Sequence, residues 1–368
     1  MEAPGRDWRM IAAGVALALV VLAVVGRLQS RGLGTDRAGP SVPTPATGSA
    51  DGTSASGLSL TGRVALPGRP VAVAVGEGAV WVLLEQGTLL RVDPTSHQVT
   101  GSVDLAPPGG GQLFGLVTAG QDAVWVGGGA VNLRVDPVRL RVTDRFGGSA
   151  LDHSALLAAG GALWSYCCRR EGKVLGLGRI DTRTLRPATP LVLVDESGRQ
   201  KPVGRFAVAA DAVWVEGGRD ERLWRMPLAG GRAHAVRMPG FAQGIFGVAV
   251  GEGAVWVLSG AGGGWPNQTG WLLRLDPRSG RVTATTPLPQ LFANQTVGPV
   301  IGGDAIWAIG QSSQLSQGGS VLLRIDPASG RVTGWFRSRL VLKGLLAAGP
   351  RGAWVVTGAS ELLHVIPA

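Results

Sequence analysis

From residue 60 onward, short apolar runs alternate with polar or glycine-containing breaks, and the same order of runs keeps returning. Tryptophans mark the period: GEGAVWV at Trp81, GQDAVWV at Trp125, GGALWSY at Trp164 and AADAVWV at Trp214. GEGAVWV at Trp256, GGDAIWA at Trp307 and PRGAWVV at Trp354 complete the series. The gaps between them are 44, 39, 50, 42, 51 and 47 residues, the spacing of four-stranded propeller blades. Each unit reads as strands A to D. In the fifth they are FGVAV, AVWVL, WLLRLD and RVTATTPL. Strand B is apolar throughout, as expected when both faces of a blade pack on neighbouring blades.

A second landmark follows in most units: LRVDPTS at Leu90, LRVDPVR at Leu133, GRIDTRT at Gly178, LRLDPRS at Leu273 and LRIDPAS at Leu323. Asp-Pro before Ser-Gly is a tight-turn signal between extended runs. Unit four departs, with WRMPLAGG at Trp224. The seventh unit ends after strand C at Ile366. LTGRVALPG at Leu60–Gly68 has the strand D pattern, so the N-terminal piece is predicted to supply the missing strand and close the ring. The fold class is therefore all-β, a seven-bladed propeller over residues 58–368.

Ahead of it, residues 1–9 form a tail with Arg6 and Arg9, and Met10 to Gly26 is an unbroken apolar stretch, MIAAGVALALVVLAVVG. No A-x-A site follows it, and it is read as a single transmembrane signal anchor. Residues 27–57, rich in Ser, Thr, Pro, Gly and Ala, cannot bury enough surface to order themselves and read as a disordered linker. A membrane helix, a tether and a folded domain together place the propeller outside the cytoplasm, at the cell membrane. The nearly balanced arginines on either side of the stretch do not set its orientation.

Composition narrows the classes further. Of 368 residues, 59 are Gly and 23 Pro, which breaks long helices, while 45% are hydrophobic, too many for a disordered chain. The net charge is +10, from 35 basic and 25 acidic residues. The basic residues recur at fixed places in the repeat and form no clustered face with interleaved aromatics, so nucleic acid is not an expected partner.

The pattern A-V-G-x-G-A-V-W-V … L-x-R-[ILV]-D-P-x-[ST]-G-x-V resembles the YVTN and NHL-like repeat propellers, including the streptogramin (virginiamycin B) lyase-like group. It covers about 310 residues, Leu58 to Ala368. The shared residues are those that build blades, and propellers host unrelated activities. The resemblance to the lyases implies a histidine base, a Glu-x-His pair and bound magnesium. This chain has His97, His153, His234 and His364 and no Glu-x-His pair. Glu361 and His364 are an odd spacing apart in a strand, hence on opposite faces. His153 alone falls where a base facing the channel could lie. General-base chemistry lacks its partners here, and no catalytic residue, metal ligand or cofactor is assigned.

Cys167 and Cys168 stand side by side in WSYCCRR. Two neighbouring thiols do not make a tetrahedral metal cage. They are read as small residues ending a strand, a disulfide between them being the alternative. Such a pair resembles one in quinone-dependent alcohol dehydrogenases, although their acidic calcium site has no counterpart here.

The function expected is that of a binding module. The alternatives are an extracytoplasmic lyase or hydrolase of the streptogramin lyase-like type and a quinoprotein-like dehydrogenase. A–B and C–D turns are short and uniform (GEG, GQD, GGD; DPTS, DPRSG, DPASG), so length variation falls on the opposite face. There the B–C connections at Cys167, Ser259 and Gly310, and the D–A connections at Gly147, Asp195 and Pro289, are predicted loops. Departures from a strict repeat are where binding resides. The candidate binding residues are His153, Arg169, Arg170, Lys201, Arg205, Trp265, Asn294 and Gln295. Their cationic members point to an anionic or polyhydroxylated ligand, or to a protein partner.

Overall fold

The computed structural model describes residues 54–368, apart from 106–114, 129–130, 148–150, 218–221, 243, 261–268, 313–318 and 339–341. The expected tail, anchor and most of the linker lie outside the described residues. Among the described residues, no helix is long and apolar enough to cross a membrane.

The strands assort into seven antiparallel blades, each ordered A–B–C–D, with strands A of successive blades against one another. Blade 1 is built of Pro70–Gly76, Ala79–Leu84, Thr88–Val92 and Val99–Asp104. Blade 7 is Leu342–Gly349, Gly352–Thr357 and Glu361–Pro367, closed by Leu58–Ala65 as its strand D. The closing register runs from Leu58 opposite Pro367 to Ala65 opposite Glu361. The N-terminal closure expected from LTGRVALPG is therefore present. Pairing starts earlier than the predicted linker boundary at 57: Ser54–Ser56 adds a fifth strand to blade 6, opposite Arg337, Phe336 and Trp335.

Seven hydrophobic clusters hold the ring, and each joins the tryptophan of one blade to strands B and C of the next. Trp81 packs with Val124, Val126, Leu133 and Val135. Trp256 packs with Ile306, Ala308, Val321 and Leu323. The seventh sets Trp354 against Val80, Val82, Leu90 and Val92 of blade 1. All seven rings are almost wholly buried. An indole burying about 200 Å² contributes on the order of 5 kcal/mol of transfer free energy. Five of them also donate Nε1–H to the carbonyl five residues earlier, as Trp125 does to Gly120 at 2.8 Å. The A–B turn is thereby tied to the core of its own blade.

Three predicted loops are strands instead. Val282–Ile301 is one continuous strand, so the connection at Pro289 is a passage from blade 5 into blade 6, and Asn294 and Gln295 lie within it. Strand A of blade 3 begins at Leu151 and includes His153. The connection at Cys167 is the end of a long hairpin, Ala162–Arg170 paired with Lys173–Asp181 and turning on Glu171 and Gly172. Both turn residues have positive φ, 50° and 75°, the conformation that matches the twist of paired strands in a two-residue hairpin.

Candidate functional site

On the face of the A–B and C–D turns, the repeated aspartates are tied to their own turns. In five blades the Asp ending strand C caps its own turn: Asp93 Oδ1 accepts from the backbone N–H of Thr95 and Ser96 at 2.9 and 2.7 Å. Asp136, Asp181, Asp276 and Asp326 do the same. Hydrogen bonds within the turn hold all five carboxylates below their usual range, led by a backbone N–H for Asp93, Asp136 and Asp181 and by the Ser279 and Ser329 hydroxyls for Asp276 and Asp326. In three of these blades the arginine two residues earlier stacks on its blade's tryptophan, Arg134 on Trp125 at 5.5 Å, Arg179 on Trp164 at 5.7 Å and Arg274 on Trp256 at 5.9 Å. In blades 1 and 6 it bonds to its own outer strand, Arg91 to Thr100 and Arg324 to Thr333. Repeating Arg and Asp residues are therefore ties within blades, with carboxylates committed to turn amides.

The opposite face carries the departures from the repeat. In blade 3 the hairpin extends strands B and C to nine residues each, and its tip presents exposed Arg169, Arg170 and Lys173 around Glu171. Arg169 donates to the Gly172 carbonyl at 3.0 Å, which fixes the guanidinium beside the turn. The predicted loop at Asp195 folds back along strand C: Lys201 N–H bonds to Leu193 O, and Val203 N–H to Val174 O, both at 2.8 Å. Asp195 organises that turn. The Ser197 hydroxyl at 2.6 Å and the Arg199 N–H at 2.9 Å pull its carboxyl down to about 2, and Lys201 Nζ sits 3.6 Å from its other oxygen.

Arg205 sits just before strand A of blade 4. Its guanidinium meets Glu216 Oε2 at 3.1 Å and the Ile245 carbonyl of blade 5 at 3.4 Å. Next to it, the Tyr166 hydroxyl of blade 3 donates to Gly204 O at 2.9 Å. Blade 1 repeats the arrangement, with Arg69 3.0 Å from Glu85, so the Arg205 ion pair belongs to the blade pattern. Of the predicted site, the structure thus groups Arg169, Arg170 and Lys201 on blade 3 and gives Arg205 a structural partner. His153, Asn294 and Gln295 are in strands, their side chains outside the described residues, as is Trp265 altogether. Among the described residues, no group of three His, Cys, Asp or Glu could hold a metal ion.

Two other histidines sit where the sequence did not point. His97 occupies the fifth position of the blade 1 turn, and His364 the strand C position that holds Arg in the other six blades. His364 stacks on Trp354, centroids 4.1 Å apart and planes at 5°. The signal was available by aligning the seven strand C segments, in which ELLHV replaces L-L-R-[LIV]-D. His234 lies on the outer edge of blade 4, 3.2 Å from Glu196.

No protein-family model matches the chain, and no curated protein matches it. Solved structures do. The chain is similar to U3-55K at 13% identity and a TM-score of 0.56, over 84% of this chain and 98% of that one. It is also similar to BamB from Moraxella catarrhalis at 11% identity and a TM-score of 0.48, over 84% of this chain and 99% of that one. At such identities the likeness is one of fold. The fold is an all-β, seven-bladed propeller.

Proposed function

We propose that this chain is a membrane-tethered, extracytoplasmic propeller that binds a partner without catalysis, using the face built from its B–C and D–A connections. One observation carries the reading. One face is uniform and its recurring strand C aspartates are committed to their own turns, while the other carries a hairpin extension tipped with cations that the repeat does not call for. A propeller needs no such extension to close its sheets, and exposed guanidiniums suit a carboxylate, phosphate or sulfate of a partner surface or glycan. The apolar stretch Met10–Gly26 supports the tether, and the Ser/Thr/Pro/Gly-rich segment after it supports a spacer. The streptogramin lyase-like and quinoprotein-like alternatives have no specific observation in their favour.

The test combines fractionation with capture. The full chain should stay with membranes through alkaline carbonate, and a chain starting at Gly32 should not. Replacing Arg169, Arg170 and Lys173 together by Ser should remove partners captured by the parent while leaving melting unchanged, since all three are exposed. An unchanged partner set in a folded variant would sink the assignment of this face.

A further inference from the structure

Blade 3 holds both cysteines of the chain. Cys167 is buried, at 1% exposure, between strand partners Leu151 and Gly176. Cys168 is half-buried, and both are free thiols. In a regular strand, neighbouring side chains point to opposite faces. Here Cys168 takes a left-handed backbone, φ 58°, a conformation that costs a residue other than glycine roughly 1 kcal/mol or more. The ladder does not demand it, because Cys167 opposite Gly176 and Arg169 opposite Val174 keep one register on either side. What the unusual backbone achieves is to bring the two Sγ atoms to 2.7 Å. Leu191 O lies against Gly176, 2.6 Å from where a Cβ would stand, so strand D closes over the Cys167 side of this site.

We propose that Cys167–Cys168 is a thiol–disulfide modification site at the base of the cationic hairpin. The co-reactant is an external disulfide. The Cys168 thiolate, the more exposed of the two, attacks one sulfur of that disulfide and releases the first thiolate. Cys167 then loses its proton and attacks Cys168 Sγ, forming the vicinal disulfide and releasing the second thiolate. The two protons shed by the cysteines end on the two leaving thiols, the pair is oxidised by two electrons, and the external disulfide is reduced by two. Burial pushes the Cys167 thiol up, which makes Cys168 the first nucleophile and Cys167 the resolving one. The ring so formed adjoins Arg169, so its state sets the backbone leading to the tip. That consequence for partner binding rests on the function proposed above.

The experiment treats reduced full-length protein with oxidised glutathione, traps remaining thiols with a maleimide and reads the 167–168 peptide by mass. Wild type should lose two hydrogen masses, keep no glutathione, and show about tenfold less maleimide labelling than the untreated chain. Cys167→Ser should retain a glutathione adduct at Cys168, because the resolving thiol is gone. Two untouched thiols in wild type, a lasting adduct, or a disulfide between two copies would each overturn the proposal. Capture of partners by oxidised and reduced protein is then compared. Equal capture with the disulfide formed would overturn only the link to the hairpin tip, and failure of the partner assignment itself is read separately from the Arg169, Arg170 and Lys173 variant.

Discussion

His97 Nε2 lies 2.8 Å from His364 Nδ1, joining the first blade's turn to the last blade's strand C across 267 residues of sequence. The partners fix the protons. His364 Nε2 is 3.1 Å from the Arg351 carbonyl, which only accepts, so Nε2 carries hydrogen and Nδ1 is the acceptor. Nδ1 then receives the His97 N–H, with the Thr61 hydroxyl of the closing strand 3.2 Å away. His97 also lies 5.6 Å from Trp354, and Arg351 donates to the Thr95 hydroxyl of the same blade 1 turn. All three elements that meet at the ring seam are thus tied to one neutral imidazole.

Acid should loosen this seam before it touches the rest of the ring. Burial lowers His364 from 6.5 to about 4; the charges of His97 and Arg351 add to that, and the Arg351 carbonyl opposes it. The unfolded chain takes up the proton near 6.5 and the folded chain only near 4, so between those values the unfolded state holds more protons. Stability from this group is complete above pH 6.5 and is lost as pH falls toward 4, by up to about 3 kcal/mol. The turn aspartates are already depressed below 3.8, so their contribution is lost only at lower pH. Urea midpoints measured from pH 7.5 to 4.5 should fall for wild type and stay nearly level for His364→Phe, which keeps a ring on Trp354. Parallel slopes would refute the role of His364.

Gly62 makes room for the contact. It pairs with His364 in the closing register, and a Cβ there would fall on the His97 ring. Gly62→Ala should cost about 2 kcal/mol, as overpacking of a closed site does. In a His97→Gly background the same change should cost less than about 0.5 kcal/mol. Glycine suits that position, as Gly280 and Gly330 show at φ 70° and 69° in the equivalent turns, where His97 has φ 58°. Equal costs in the two backgrounds would show that Gly62 and His97 are not coupled.

The blades were legible because each tryptophan must sit at the same depth between two sheets, so selection for packing writes a period into the chain. The closing strand was legible for the same reason, since Val64 and Leu58 fill strand D positions of a blade that the C-terminus leaves incomplete. The other face was read less well. Cys167 to Lys173 looked like a loop because its polar residues break the apolar run, yet Glu171-Gly172 makes a two-residue hairpin that lets strand pairing continue beyond the core. Val282–Ile301 was split at Pro289 for a similar reason, while the strand bends between two blades. The His97–His364 contact is non-local, and only closure of the ring brings it about.

Truncation should separate the two N-terminal strands. Among the described residues, a chain beginning at Gly57 loses the three edge pairs of Ser54–Ser56 with blade 6, and it should melt within about 2 °C of a chain beginning at Gly32. A chain beginning at Pro67 loses buried Leu58 and Val64 and leaves Glu361–Pro367 as an open, apolar edge. It should be largely insoluble, recovered in the pellet after lysis. Soluble, cooperatively melting protein from that last variant would show that the ring does not depend on its N-terminal closure.

Unit four departs from the repeat in a way that stability measurements should detect. Trp81, Trp125, Trp164, Trp256 and Trp307 each donate Nε1–H to a carbonyl five residues back, at 2.8 to 3.1 Å. Trp214 is as deeply buried, yet among the described residues its Nε1 has no partner. A buried donor without an acceptor carries a desolvation cost that a satisfied one does not. Phenylalanine in place of either indole removes the same atoms from equally closed sites, 0% and 1% exposed at Trp214 and Trp256. The loss of ring volume is thus common to both variants, and the difference between them isolates the hydrogen bond. Trp256→Phe removes a hydrogen bond to the Gly251 carbonyl, whereas Trp214→Phe removes an unsatisfied donor. Trp256→Phe should therefore be the more damaging by about 1–2 kcal/mol in denaturant unfolding at neutral pH. If Trp214→Phe is equally or more destabilising, the indole of blade 4 has an acceptor in solution that its geometry here does not provide.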